Sequence, residues 1–360
     1  MTTVLTPPVS KPLRKTGPSE YTALSKQIKE NNLLKREVGF YIKTFSFWVT
    51  FLIATIVAST FIGDSWLQLI PAALLGVGTT QIAFLAHEAS HRQIFNTNKL
   101  NDKAGLILAD FFAGLSYTWW MTKHTRHHAN PNHVEKDPDI NIRVLSFTVD
   151  QAKAKTGLMK VISKGQGWLF FPILTLTVLD LLISSASVLF GKEKVKNRAL
   201  ELTLFLGHYV ILVSLPFIFL SPGIAAAFIA VQMMVFGFYM GMAFAPNHKG
   251  MPVLAKDSNV DFLRRQVLTS RNIKGSWFTD NFMGGLNYQI EHHLFPSMAR
   301  PQLRAAQKLT QQYCEEKNIP YLETTLPDSY KQVIVYLNKV GLKEVDPFDC
   351  PMVSQYRRRD

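Results

Sequence analysis

The chain has only two cysteines among its 360 residues, Cys314 and Cys350, both in the polar C-terminal third. Their spacing fits neither a metal site nor a disulfide framework, so a stapled secreted scaffold is excluded and free thiols in a reducing compartment are expected. Charge is also scarce, at 18% against 47% hydrophobic residues, and the apolar residues cluster in long runs that a soluble core does not need. The first 37 residues are polar, with scattered Pro and Lys, and lack the charged region, short apolar run and cleavage site of a secretory leader. The N-terminus is therefore expected to stay cytoplasmic. No internal repeat of fixed period is apparent, and no low-complexity run beyond the N-terminal tail. Among the charges, 39 Lys and Arg outnumber 26 Asp and Glu, a formal net charge of +13. That balance suits anionic headgroups or a phosphate-bearing substrate, and it also matches the Lys- and Arg-rich cytoplasmic loops common to membrane proteins. No nucleic-acid partner is expected.

The hydrophobic runs set the architecture. Residues 1–18 read as a disordered tail and 19–36 as a surface helix with Tyr21, Leu24 and Ile28 on one stripe. Residues 38–63 and 66–86 are each long enough to cross a hydrocarbon core of about 30 Å, which takes about 20 helical residues, and Gly63-Asp64-Ser65 joins them as a hairpin. Apolar stretches follow at 104–121, 167–190, 200–220 and 223–246. Histidine clusters flank 104–121, which is short and contains Asp110, so clusters sharing one site require it not to cross. An even number of crossings is then needed between His128 and His248, and 167–190, with Asp180 and three serines, is assigned to the interface. The expected fold is all-α and membrane-integral: four transmembrane helices, interfacial helices, and a cytoplasmic helical cap bearing the histidines. Residues 1–37 form the N-terminal segment, 38–320 the membrane domain and 321–360 a cytoplasmic C-terminal segment. This topology places both termini and the basic stretch Lys192, Lys194, Lys196, Arg198 on the cytoplasmic side.

Seven of the ten histidines fall in three tight groups: His87-Glu-Ala-Ser-His91, His124-Thr-Arg-His127-His128, and Gln289-Ile-Glu-His292-His293. Residues three and four apart share a helix face, so each group can aim imidazoles at one point. An isolated pair would be ordinary; three groups, each at the end of an apolar segment, point to metal. Imidazole suits Zn, Cu, Fe and Ni alike, but seven or eight ligands exceed the need of one tetrahedral ion. Two adjacent ions follow, and redox-active ones can bind oxygen and take up electrons, as zinc cannot.

The motifs HEASH, HTRHH and QIEHH, with HHANPNHVEKDPD after the second and GGLNYQIEHHLFP around the third, resemble the histidine boxes of membrane fatty acid desaturases, over about residues 38–320. Glutamine at the start of the third box is similar to front-end desaturases and some related acyl-CoA desaturases. There is no fused cytochrome b5 domain and no HPGG haem motif, so electrons are expected from a separate donor such as ferredoxin or cytochrome b5 with its reductase. The resemblance implies two iron ions with O2 as co-substrate, and as ligands His87, His91, His124, His127, His128, His292 and His293. An eighth is implied at the end of the last span, where this chain has His248, with Asn247 or Gln289 as weak or water-mediated ligands.

Among nearby carboxylates, Asp137 and Asp139 are better placed than Glu88 and Glu291 to accept the imidazole N–H facing away from metal. A loop charge pair with Lys136 is their bland alternative. His133 is expected at the surface, and His208, mid-span, in helix packing or a substrate tunnel. Trp119, Trp120, Phe170, Phe171, Met233, Met234, Phe238 and Tyr239 are candidates to line that tunnel, or simply to pack helices and face lipid. The implied reaction introduces a cis double bond into a fatty acyl chain carried by coenzyme A or a lipid. Rival readings are a di-iron hydroxylase, a zinc metalloprotease using HEASH with Glu88 as base, and a non-enzymatic metal carrier. The boxes do not specify bond position, chain length, acyl carrier, donor or oligomeric state.

Overall fold

The computed structural model describes residues 19–142 and 144–342, so the expected tail at 1–18, Cys350 and the last part of the expected C-terminal segment, 343–360, fall outside the described residues. Helix α1 (Glu20–Glu30) is capped by the Ser19 side chain, which accepts the Thr22 N–H. It ends six residues before the expected limit of 36, and it is not simply superficial. Leu24 and Ile28 are fully buried in a core with Leu263, Leu294 and Cys314. Helix α2 (Val38–Ile62) ends at Gly63, whose φ of 69° turns the chain, and a short 3-10 turn at Trp66–Gln68 leads into α3 (Leu69–Ser90).

Helix α4 (Asn98–Leu106) runs into a π-helix at Ile107–Ala113, which stops at Gly114 in the left-handed region. A Cβ there would lie 2.6 Å from the His208 ring, so only glycine both turns the chain and admits that neighbour. Helix α5 (Tyr117–Ala129) follows, then the short α6 (Val149–Ala154) and α7 (Gly157–Lys164). Helices α8 (Gln166–Leu174), with Pro172 inside it, and α9 (Thr177–Phe190) meet at a bend of 64°. Helix α10 (Arg198–Phe219) and α11 (Pro222–His248) form an antiparallel pair through Leu220 and Ser221. Beyond them lie α12 (Phe262–Leu268), α13 (Trp277–Phe282), α14 (Gln289–Leu294), α15 (Arg300–Glu316) and α16 (Leu326–Gly341). Strand β1 (Asn272–Ile273) pairs in parallel with β2 (Glu323–Thr324) and ties α16 to the loop before α13.

This is an all-α membrane-integral fold. Among the described residues, four helical segments are long and apolar enough to cross a bilayer: Val38–Ile62, Trp66–Ser90, Arg198–Phe219 and Pro222–His248; the bent α8–α9 pair would make a fifth if it counted as one span. In the apolar 18-residue stretches of α2 and α10 only 6% of residues are buried within the protein, so these faces are built for lipid, whereas 72% of the corresponding stretch of Trp66–Ser90 is enclosed. The central contact is α3 against α11, where a Cβ at Gly76 would come within 2.7 Å of the Gln232 carbonyl oxygen. Such close backbone approach is how membrane helices gain packing without a hydrophobic driving force. The bundle brings the ends of α3 and α11 beside α5 and α14, where the histidines lie.

Candidate metal centre

Four separate elements converge. His87 occupies the last turn of α3 and His91 is its C-cap; His124, His127 and His128 lie on the last two turns of α5; His248 ends α11; His292 and His293 lie on α14. They sort into two adjoining groups, His87, His91, His124, His128 and His292 in one and His127, His248 and His293 in the other, each with its ring nitrogens within 4.8 Å of one another. The His128 and His293 rings stack across the boundary with centroids 4.2 Å apart.

The spacing within the first group is unlike that of hydrogen-bonded histidines. His124 Nε2 lies 2.9 Å from His87 Nε2, 2.7 Å from His91 Nε2 and 3.0 Å from His128 Nε2. One ring nitrogen has a single proton or a single lone pair, so it cannot satisfy three neighbours. His292 Nε2 is buried and has no hydrogen-bond partner among the described residues. A cation answers all these lone pairs together: at a metal–nitrogen distance of about 2.1 Å, ligands at right angles stand about 3 Å apart, the spacing found. In the second group His248 Nε2 is 3.3 Å from His127 Nε2 and 3.1 Å from His293 Nε2. Gln289 Nε2 lies 2.9 Å from the same atom, and the Asn247 amide donates to Gln289 Oε1 at 3.2 Å while its own Oδ1 is buried without a partner. The residues present therefore fit two metal ions.

The electrostatics agree. Burial, with the neighbouring imidazoles adding to it, pushes His91, His124, His128, His292 and His293 below the ordinary histidine range. Neutral imidazole is the form that ligates metal. His127 is the exception: burial pushes it down, but the Asp137 and Asp139 carboxylates outweigh burial and raise it. Asp137 accepts the His127 Nδ1–H at 3.0 Å, and Asp139 lies 3.5 Å from the same nitrogen. Asp139 pairs with Lys123 at 3.0 Å, a residue on α5, rather than with Lys136.

Other histidine supports come from residues that no motif singles out. Gln266 Oε1 accepts from His293 Nδ1 at 3.0 Å, and the Thr269 carbonyl from His248 Nδ1 at 3.0 Å. Asn132, in the left-handed region at φ 53°, donates its N–H to Asp137 and its amide to the His248 carbonyl. Arg271 is fully buried and caps the end of α11 through the Pro246 and Lys249 carbonyls. Glu88 and Glu291 face away from the imidazoles. Glu88 binds Arg300 through both oxygens at 2.6 Å, and Glu291, lifted to about 7 by burial, accepts from Asn272 and Tyr321. His133 is buried rather than superficial, its Nδ1 accepting the Glu135 N–H, and it joins neither group.

Residues 64–325 match the family described as fatty acid desaturase. The chain belongs to that family. A Delta(6)-fatty-acid desaturase of Caenorhabditis elegans is 30% identical over 283 residues, 75% of this chain and 64% of that protein. A Delta(8)-fatty-acid desaturase of Helianthus annuus is 26% identical over 344 residues, 91% of this chain and 74% of the other. A fatty acid desaturase 2-like protein of Mus musculus is 28% identical over 284 residues, 77% of this chain and 57% of its own length. This desaturase-family chain thus spans less than two thirds of the nematode and mouse relatives.

The surroundings of the centre differ in polarity. Trp120 stacks on His124 with centroids 4.7 Å apart, and with Ala83, Ala113, Met240 and Phe244 it walls a narrow apolar cavity of about 20 Å³ beside His87. On the opposite face of α5, Thr122, Lys123 and Arg126 line a polar cavity of about 570 Å³ together with Asp180 and Lys194. A larger apolar cavity of about 670 Å³ lies among α2, α3, α10 and α11 and is lined in part by His208, whose Nδ1 bonds the Phe111 carbonyl at 2.8 Å. Of the eight aromatic and methionine tunnel candidates, Phe170 is buried in a separate core with Ile140 and Leu174, and Met234 is exposed.

Proposed function

We propose that this chain is an oxygen-dependent fatty acyl desaturase that inserts a cis double bond, with two iron ions held by eight histidines. The observation that carries this reading is the pairing of two adjoining imidazole groups, one of five and one of three, in a member of the desaturase family. His87, His91, His124, His128 and His292 would hold one ion, and His127, His248 and His293 the other, with Gln289 or Asn247 completing it directly or through water. When bound, such a pair would supply the removal of two hydrogens from neighbouring methylenes, which with O2, two external electrons and two protons end as two waters. The protein's share is placement and dryness. Asp137, Gln266 and the Thr269 carbonyl hold the outward N–H groups and so fix each ring's tautomer and aim. Trp120, Met240 and Phe244 form an apolar wall that keeps water from the His87 side of the centre.

The polar cavity with Lys123, Arg126 and Lys194 suits the phosphate-bearing head of the acyl carrier, coenzyme A or lipid. This reading keeps the active face and both termini cytoplasmic, with residues 38–320 as the membrane domain, segments 104–121 and 167–190 at the interface, and a separate donor such as ferredoxin or cytochrome b5 with its reductase. The metalloprotease alternative is disfavoured because Glu88, its required base, is bound by Arg300 through both oxygens.

Expression in a host without such enzymes, with an electron donor supplied, is expected to yield new cis-unsaturated acyl chains by gas chromatography and mass spectrometry. Unchanged lipids, or hydroxylated chains instead, would contradict the assignment. Asp137→Asn is expected to lower metal affinity or turnover about 10- to 100-fold, the range for lost ligand-orienting partners. Metal titration of the purified variant checks this, and wild-type affinity would remove Asp137 from the role.

A further inference from the structure

Helix α5 presents three imidazoles at one end and is gripped at the other. The first turn of a helix leaves N–H groups without intrahelical partners and carries the positive end of the macrodipole. Here three elements answer it. Ser116 caps the helix by accepting the Trp119 N–H at 3.2 Å, and its own N–H donates to Ser185 Oγ on α9 at 3.1 Å. The Tyr117 N–H donates to Asp110 Oδ2, on the π-helix, at 3.3 Å. The Thr118 N–H donates to Glu201 Oε2, in the first turn of α10, at 3.2 Å. Glu201 also accepts both the Ser116 hydroxyl, at 3.0 Å, and the Thr118 hydroxyl.

Glu201 is 2% exposed and forms no ion pair with Lys or Arg among the described residues. A carboxylate is buried without a cation only where donors compensate its lost hydration, and these three donors all belong to the start of α5. Asp110 is the weaker anchor: burial and the nearby Glu201 carboxylate push it up to about 8, and its second oxygen has no partner among the described residues.

We propose that Glu201 is a positioning residue for the metal centre, holding the N-terminus of α5 so that His124, His127 and His128 reach their two groups in register. The lever is short and stiff. Thr118 and His124 are six residues apart, about 9 Å along a helix at 1.5 Å per residue. A metal site tolerates errors of only about 0.5 Å in its ligands. Loss of the grip would thus be felt at both groups, because α5 supplies His124 and His128 to one and His127 to the other. The inference rests on the reading that these imidazoles hold metal.

The test uses the full chain purified in detergent after growth with ample iron, as wild type and as Glu201→Leu, Glu201→Gln and Thr118→Val. Bound iron per chain and hydrogen exchange of peptides covering 116–124 are measured beside kcat and KM. For Glu201→Leu, amide exchange in the first turn of α5 is expected at least tenfold faster, iron affinity 10- to 100-fold weaker, and kcat reduced with little change in KM. Glu201→Gln still accepts from Ser116 and Thr118 and is expected to keep most of the iron and the protection. Should Glu201→Leu fail to fold, Thr118→Val, which removes one hydroxyl donor, must still speed exchange several-fold. Wild-type iron loading and exchange in a folded Glu201→Leu protein would overturn the proposal, as would Glu201→Gln losing iron as fully as leucine. Thr118→Val indistinguishable from wild type beside an unfolded Glu201→Leu would do the same. If wild-type protein binds no metal, the reading beneath it fails instead.

Discussion

Replacing His124 by alanine is expected to abolish desaturation and to empty the larger imidazole group of its ion. Its Nε2 is the hub of that group, within 3.0 Å of the ring nitrogens of His87, His91 and His128. Removing an outward partner of a ligand costs about 10- to 100-fold, so deleting the hub ligand should exceed about 100-fold in metal affinity and turnover. The fold should survive, because α5 is also fixed at its N-terminus and by the Gln266 bond to the His128 carbonyl. Double-bond formation in vivo and metal per chain in the purified variant measure the effect. Activity within tenfold of wild type would show that the five-histidine group does not act as a unit. His133→Ala, outside both groups, is the matched control and should retain metal.

The second large effect concerns stability. Arg300, at the start of α15, meets Glu88, near the end of α3, through two bonds of 2.6 Å, and its backbone N–H donates to Tyr41 Oη on α2 at 3.0 Å. Both side chains are nearly enclosed, with exposures of 9% and 3%. Removing one member strands the other charge in an apolar setting, which costs about 3–5 kcal/mol, whereas removing both in favour of apolar residues costs far less. Arg300→Met is therefore expected to lose about that much stability in detergent. Glu88→Leu combined with Arg300→Met should recover most of it. Denaturant unfolding followed by circular dichroism gives both values, and a single variant as stable as wild type would refute the argument. The same pair separates the rival chemistry, because a protease needs Glu88 free whereas this fold uses it as an anchor one residue from His87.

Much of this could be read from the chain alone. The four helices long and apolar enough to cross a bilayer follow from hydropathy, and the three boxes follow from histidines, or in the third box Gln289 and its histidines, three and four residues apart. What local pattern hides is partnership over distance. Glu88 and Arg300 are 212 residues apart, and nothing near Arg300 signals a buried charge. Gln266 sits on a seven-residue helix whose sequence gives no hint that it meets His293. His133 lies in a polar run that reads as surface, yet the Asn132 turn folds that loop under the His248 corner. The apolar stretch at 104–121 likewise conceals a break, because hydropathy does not register Gly114 ending the π-helix and Ser116 starting α5.

Metal analysis of the purified 360-residue chain, grown with iron and zinc both available, addresses the central claim most directly. Inductively coupled plasma mass spectrometry is expected to find about two irons per chain, falling toward one in His124→Ala, which empties only the five-histidine group. A single zinc ion per chain, retained in that variant, would contradict it.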